Sequence, residues 1–134
     1  MYEFHGWISI EYHTHDTDLD LQEKCVNECF DFIKNESGLE ETNYKLVVHN
    51  GIESLLVSGQ HNHTQDYVLD TFKWIAEHAE GSFGILTVFD DEEEIGNQNF
   101  KHYVVRRGKI SEVKDTFFSP RQPTIEDYLD MDRD

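Results

Sequence analysis

The sequence predicts an α+β fold in which an antiparallel sheet carries two helices on one face. Three observations lead there. Residues 4–12 alternate apolar and polar at the period of a strand. Two later segments repeat apolar residues at helical spacing. Between those segments, Asn50-Gly51 separates two apolar runs, and a two-residue turn of this kind needs positive φ at both central positions, which Asn and Gly tolerate best. With three further strand-like runs towards the end of the chain, the order is β-α-β-β-α-β plus two strands. That order fits a ferredoxin-like antiparallel sheet, extended by two C-terminal strands and open on its other face.

The elements follow in chain order. The first strand places Phe4, Ile8, Ile10 and Tyr12 on one face and His5, Trp7, Ser9 and Glu11 on the other. Beyond the turn-like residues 15–18, the spacing of Leu21, Cys25, Cys29 and Ile33, widened by Val26 and Phe30, predicts a helix that stops at Gly38. Residues 44–48 and 52–57 flank the Asn50-Gly51 hairpin. Asn62 with Gln65 resembles a capping box and is expected to start the second helix. That helix carries a stripe of Val68, Phe72, Ile75, Ala76 and Ala79 and is stopped by Gly81. Residues 83–89, 100–106 and 110–113 read as strands, the last two joined by a tight turn at Gly108-Lys109. Residues 1–115 are expected to form one domain. The segment 116–134 carries Phe117, Phe118, Ile125, Tyr128 and Leu129, so its first half is expected to dock on that domain and its end to be disordered.

Charge narrows the function. A formal net charge of −17 on 134 residues lies far beyond the magnitude of about 2 to 8 that keeps a small domain soluble. Such an excess opposes compaction, speeds encounter with a basic partner and repels nucleic acid and anionic membranes. A basic protein is therefore the expected partner, with neither nucleic acid nor membrane. The first residues do not combine a basic stretch with an apolar one, and no run of about 18 apolar residues occurs, so a cytoplasmic location is expected. Cys25 and Cys29 have i,i+4 spacing, unlike a CxxC redox pair, and read as reduced core thiols.

The sites that chemistry would use are sparse. His13-Thr14-His15 and His61-Asn62-His63 place imidazoles two apart, a spacing that could share a metal, but no HExxH motif, paired CxxC unit or evident third ligand accompanies them. His61 and His63 are expected to flank the helix cap at Asn62. No cofactor is implied. The aromatic and acidic residues are better candidates for contact with a partner. Trp7 lies on the uncovered side of the first strand, and Tyr67 and Trp74 lie off the apolar stripe of the second helix. Either a loop or the C-terminal segment covers these tryptophans, or one of them anchors an interface. Asp90, Asp91, Glu92, Glu93 and Glu94 form the densest acidic block, with Asp16 and Asp18 in a second patch and Glu126 and Asp127 in a third.

A series of short segments runs through nearly the whole chain: His5-Gly6-Trp7, Ser58-Gly59-Gln60-His61-Asn62-His63, Trp74-Ile75-Ala76-Glu77, Gly81-Ser82-Phe83-Gly84, Arg107-Gly108-Lys109, Asp115, Phe118-Ser119-Pro120 and Pro123-Thr124-Ile125-Glu126-Asp127. In order and spacing this series resembles the seventh immunity-protein family of bacterial polymorphic toxin systems. The resemblance implies a non-enzymatic protein that binds and neutralises a cognate toxin domain encoded beside it. The acidity adds the expectation that this toxin is basic, a nuclease being the leading class. A small-molecule regulatory domain and a metal-dependent enzyme are the rival readings.

Overall fold

The computed structural model describes residues 1–91 and 99–119. Six strands and two helices follow the predicted order: β1 (Tyr2–Ser9), α1 (Leu19–Asn35), β2 (Tyr44–His49), β3 (Ile52–His61), α2 (Tyr67–His78), β4 (Phe83–Asp90), β5 (Lys101–Arg106) and β6 (Lys109–Lys114). The sheet order is β2-β3-β1-β4-β5-β6, and every neighbouring pair is antiparallel. Its first four strands have the ferredoxin-like arrangement, and β5 and β6 extend the β4 edge, as the sequence predicts.

Side-chain parity builds the core. Phe4, Ile8 and Ile10 from the β1 segment, Leu55 and Val57 from β3, Leu86 and Val88 from β4 and Val105 from β5 all face the helices. Against them α1 packs Cys25, Val26, Cys29 and Ile33, and α2 packs Val68, Phe72, Ile75 and Ala76. Helix α1 starts where Asp18 accepts hydrogen bonds from the amides of Asp20 and Leu21, at 3.0 and 3.1 Å. Just past its end, Gly38 takes a φ of 81°. The two cysteines are buried free thiols. The hydrogen bond between them, with burial, pushes the Cys29 pKa well above the usual thiol range and lowers that of Cys25.

Four local expectations are corrected. Asn62 does not cap a helix, because pairing with β1 carries β3 on to His61, opposite Tyr2, and α2 begins at Tyr67 with no side-chain cap from Asp66. His61 instead stacks on Phe4, with ring centroids 5.6 Å apart. The last hairpin turns one residue earlier than expected: Arg106 pairs with Lys109, and Arg107 and Gly108 take the positive φ values, 51° and 75°. Leu21, assigned to the helix stripe, is exposed in the first turn of α1. The first strand also ends at Ser9 rather than Tyr12, since Tyr12 enters the loop and donates its amide to Gln22.

The β1–β4 seam is close. A Cβ at Gly84 would lie 2.1 Å from the Trp7 carbonyl oxygen and 2.6 Å from the Ile8 Cα, so the strands can approach only with glycine there. At Gly51 a Cβ would meet nothing, and only the φ of 78° disfavours a side chain. Gly84→Ala should therefore cost at least about 3 kcal/mol through forced strand displacement, and Gly51→Ala about 1 to 2 kcal/mol through left-handed strain alone. Urea unfolding of both variants checks this; equal losses would contradict the seam.

Candidate functional site

Both helices lie on one side of the sheet, so the odd-numbered residues of β1 and their partners form the other side. The register arranges that face in rows. One row crosses all six strands: Lys45, Leu56, Trp7, Ile85, Val104 and Ser111. Its centre is apolar. Trp7 is 41% exposed and meets the edge of Phe83, itself 42% exposed, at a centroid distance of 5.9 Å. Leu56 beside Trp7 is exposed too.

Polar rows flank this apolar one. On one side the Ser9 and Ser54 hydroxyls lie 3.0 Å apart. On the other, His5 contacts Ser58 through Nδ1 (2.9 Å) and Glu3 through Nε2 (3.0 Å), while Gln60 donates to Glu3 at 3.0 Å. A carboxylate only accepts, so the His5 proton belongs on Nε2 and Ser58 donates to Nδ1. The result is a desolvatable aromatic centre inside a hydrogen-bonded frame, the anatomy of a protein-binding patch.

Next to that frame, His102 is buried and bridges two strands of chain. Thr87 donates its hydroxyl to Nδ1, and Nε2 donates to Asp115, each at 2.8 Å. Asp115 also accepts the amides of Phe117 (3.1 Å) and Phe118 (2.9 Å). Burial raises the pKa of Asp115, but the hydrogen bonds from Ser119, His102 and the two amides outweigh it and hold the carboxyl below the ordinary carboxylate range. This clip turns residues 115–119 back towards the open face. Phe118 there contacts Phe100, which contacts Phe89, at centroid distances of 5.4 and 5.1 Å. Phe117 stands 80% exposed beside His102.

The residues singled out by sequence separate into distinct places. Trp7 alone of the three aromatic candidates lies on the open face. Trp74 is sandwiched between Phe32 of α1, 4.1 Å away and parallel, and His78 of its own helix, 3.7 Å away. Its cover among the described residues is thus the facing helix and a side chain of its own helix. Tyr67 lays its ring over Gly38. Asp18 caps α1, and Asp16 accepts the Thr17 amide at 2.9 Å. Asp90 accepts from Thr64, and Asp91 pairs with the amino-terminal ammonium of Met1, so both close off the end of the β1–β4 seam. Glu92, Glu93, Glu94, Glu126 and Asp127 lie outside the described residues.

Sequence reasoning missed Leu56 and Phe83 as neighbours of Trp7, and the His102–Asp115 clip with the exposed Phe117 beside it entirely. Strand alternation around Leu56 and Phe83 was the available signal. Among the described residues no group of three or more His, Cys, Asp or Glu converges as metal ligands. His13 Nδ1 instead accepts the His15 and Asp16 amides at 3.0 Å. No helix among the described residues is long and apolar enough to cross a membrane.

Fold and site define an α+β protein with one sheet face packed by helices and the other, among the described residues, open and centred on an aromatic pair. The family model for Immunity protein 7 matches residues 1–127, and the chain belongs to that family. It is thus an immunity protein of a toxin system, whose counterpart is a toxin. No curated protein and no solved structure matches the chain.

The Asp115 clip predicts an acid-dependent loss of stability. Its folded pKa is depressed, so its contribution is complete above the unfolded value of about 3.9 and is lost as pH falls through that value towards the folded one. Urea midpoints of wild type should fall between pH 5 and pH 2.5 more steeply than those of Asp115→Asn, which should already be less stable at pH 7. Parallel pH profiles would contradict this assignment.

Proposed function

We propose that the chain neutralises a basic toxin domain, with a nuclease as its class, by seating it on the open sheet face without catalysis of its own. The observation that carries this reading is the row centred on Trp7. A large, rigid, half-exposed aromatic, backed by Phe83 and Leu56 and framed by satisfied polar side chains, has the composition of an interface centre. Apolar area of this kind stays exposed at a cost in solubility unless a partner covers it. The formal net charge of −17 supports a basic partner, because complementary fields raise association rates by steering diffusion. Enzymes acting on nucleic acid commonly carry such basic surfaces, which supports the nuclease class.

In this reading the acidic groups divide in two. Asp18, Asp90 and Asp91 hold the fold together through cap, hydroxyl and ammonium contacts. Glu92, Glu93 and Glu94 contribute to the field that draws the toxin in. A toxin contact through the α2 side, at Tyr67 and Trp74, is less favoured because both rings are engaged within the protein.

The test is co-expression with the C-terminal domain of the toxin encoded beside it, followed by co-purification and binding kinetics. Trp7→Ala should weaken the complex by about 30-fold or more, the loss expected of an interface centre, with Phe83→Ala close behind and Tyr67→Ala within a few-fold of wild type. An unweakened Trp7→Ala complex would overturn the open face as the docking surface. Wild-type association should slow as salt rises, while dissociation changes little. Converting Glu92, Glu93 and Glu94 to glutamine should slow association at low salt and leave thermal stability unchanged. A salt-independent association rate would remove electrostatic steering from the account.

A further inference from the structure

At the end of the sheet where β1 passes into the loop before α1, and beside the Asn50-Gly51 hairpin, lies a cavity of about 210 Å³. Ile10, Tyr12 and Ile52 supply apolar lining, and Glu11, Asp16 and Glu53 supply carboxylates. One residue of this lining is anomalous. Oε2 of Glu53 is sealed from solvent and has no hydrogen-bond partner. A buried acceptor left without a donor destabilises the free protein, and such groups cluster where a ligand later supplies the missing donor.

The walls do not need a ligand to form. Gln22 accepts the Tyr12 amide at 2.9 Å and donates to the Ile10 carbonyl at 2.8 Å, while the Asp18 amide donates to the Tyr12 hydroxyl at 2.7 Å. The loop that frames the cavity is therefore held in place beforehand, which spares a ligand the cost of ordering it. The volume falls below the roughly 300 to 1,000 Å³ of ordinary small-molecule sites. It suits one long side chain. Apolar walls ending in carboxylates match an alkyl stem with a cationic, hydrogen-bond-donating head, which is the chemistry of lysine and arginine.

We propose that this cavity receives a lysine or arginine side chain of the toxin, whose ammonium or guanidinium donates to Oε2 of Glu53; the assignment rests on the toxin-binding reading above. Glu53 has the helix-side parity of Leu55 and so lies on the other face of β3 from Leu56. The toxin side chain reaches it round the end of the sheet beside the Asn50-Gly51 hairpin, about 10 Å along β3 from Leu56 at the usual strand rise, within the span of a standard interface of about 800 Å² per partner. The carboxylate can meet the incoming donor by turning about its last torsion, a soft rotation.

The experiment has two arms. In the first, backbone-amide NMR of the full chain is followed during titration with n-butylguanidine, n-butylamine and, as the uncharged control, 1-butanol. The two cations should give saturable shifts at Tyr12, Ile52 and Glu53, and butanol none. Glu53→Gln should weaken the cation response at least tenfold, with a melting temperature equal to or above that of wild type, since an unpaired buried charge has gone; Glu41→Gln, a distant surface control, should change nothing. The absence of saturation, an equal response to butanol, or unchanged affinity in Glu53→Gln would overturn the site. In the second arm, Glu53→Gln should weaken the toxin complex at least tenfold. If it leaves toxin affinity unchanged while putrescine binds wild type at micromolar concentration, the cavity serves a diffusible cation and its assignment to the toxin is overturned, with the proposed function intact. If wild type captures no toxin at all, the functional reading fails, and the first arm still reports on the cavity's cation chemistry.

Discussion

The central position of β1 governs the rest of the molecule. This strand is paired over all eight of its residues on both sides, with β3 and with β4. Period-two alternation in a doubly paired strand fixes which side chains go inward. Phe4 and Ile8 enter the core with Ile10 just beyond the strand, and Trp7 must then point away. A one-residue slip would exchange the faces, removing Ile8 from contact with both helices. Gly84 reinforces the register, because only a glycine fits against the Trp7 carbonyl at that approach. The open face is thus a consequence of how the core is filled. Both helices arrive from the same side, and nothing among the described helices packs against the row through Trp7.

Chemistry on that face fits recognition better than reaction. Its polar groups are mutually satisfied: serine to serine, His5 to Glu3 and Ser58, and His102 between Thr87 and Asp115. A hydroxyl, an imidazole and a carboxylate do stand in line at Thr87, His102 and Asp115. Here, however, the carboxylate also accepts two chain amides and closes a turn, so its geometry is accounted for by folding. On the helix side of β3, and among the described residues, Glu53 departs from this economy, since its buried oxygen lacks a donor. Family membership makes the counterpart a toxin.

Much of this was legible in the sequence, and the reason differs by element. Asn50-Gly51 encodes its turn locally through two positive φ values, so the hairpin could be read directly. The stripes of α1 and α2 could be read because burial repeats at the helical period, and Trp7 could be placed by alternation in β1. Long-range pairing was the hidden part. Asn62 and Gln65 carry a local helix-start signal, but pairing of Tyr2 with His61 extends β3 past it, and no residue near Asn62 announces that contact. The Arg107-Gly108 turn was misplaced by one residue because Gly108 alone does not say which neighbour shares the positive φ. Asp115 meets His102, and His102 meets Thr87, only after β4, β5 and β6 align, and the Glu53 cavity needs the β1–α1 loop to close beside the hairpin. Neither constellation is a spacing in the chain.

The most direct test of the open face as the toxin-binding surface is oxidative side-chain footprinting of the protein alone and in complex with the toxin domain. Trp7 and Phe83 are accessible in the free chain and should lose reactivity on binding, whereas Tyr67 should react equally in both states. Protection of Tyr67 with unchanged labelling of Trp7 and Phe83 would place the toxin on the helical side and contradict the account.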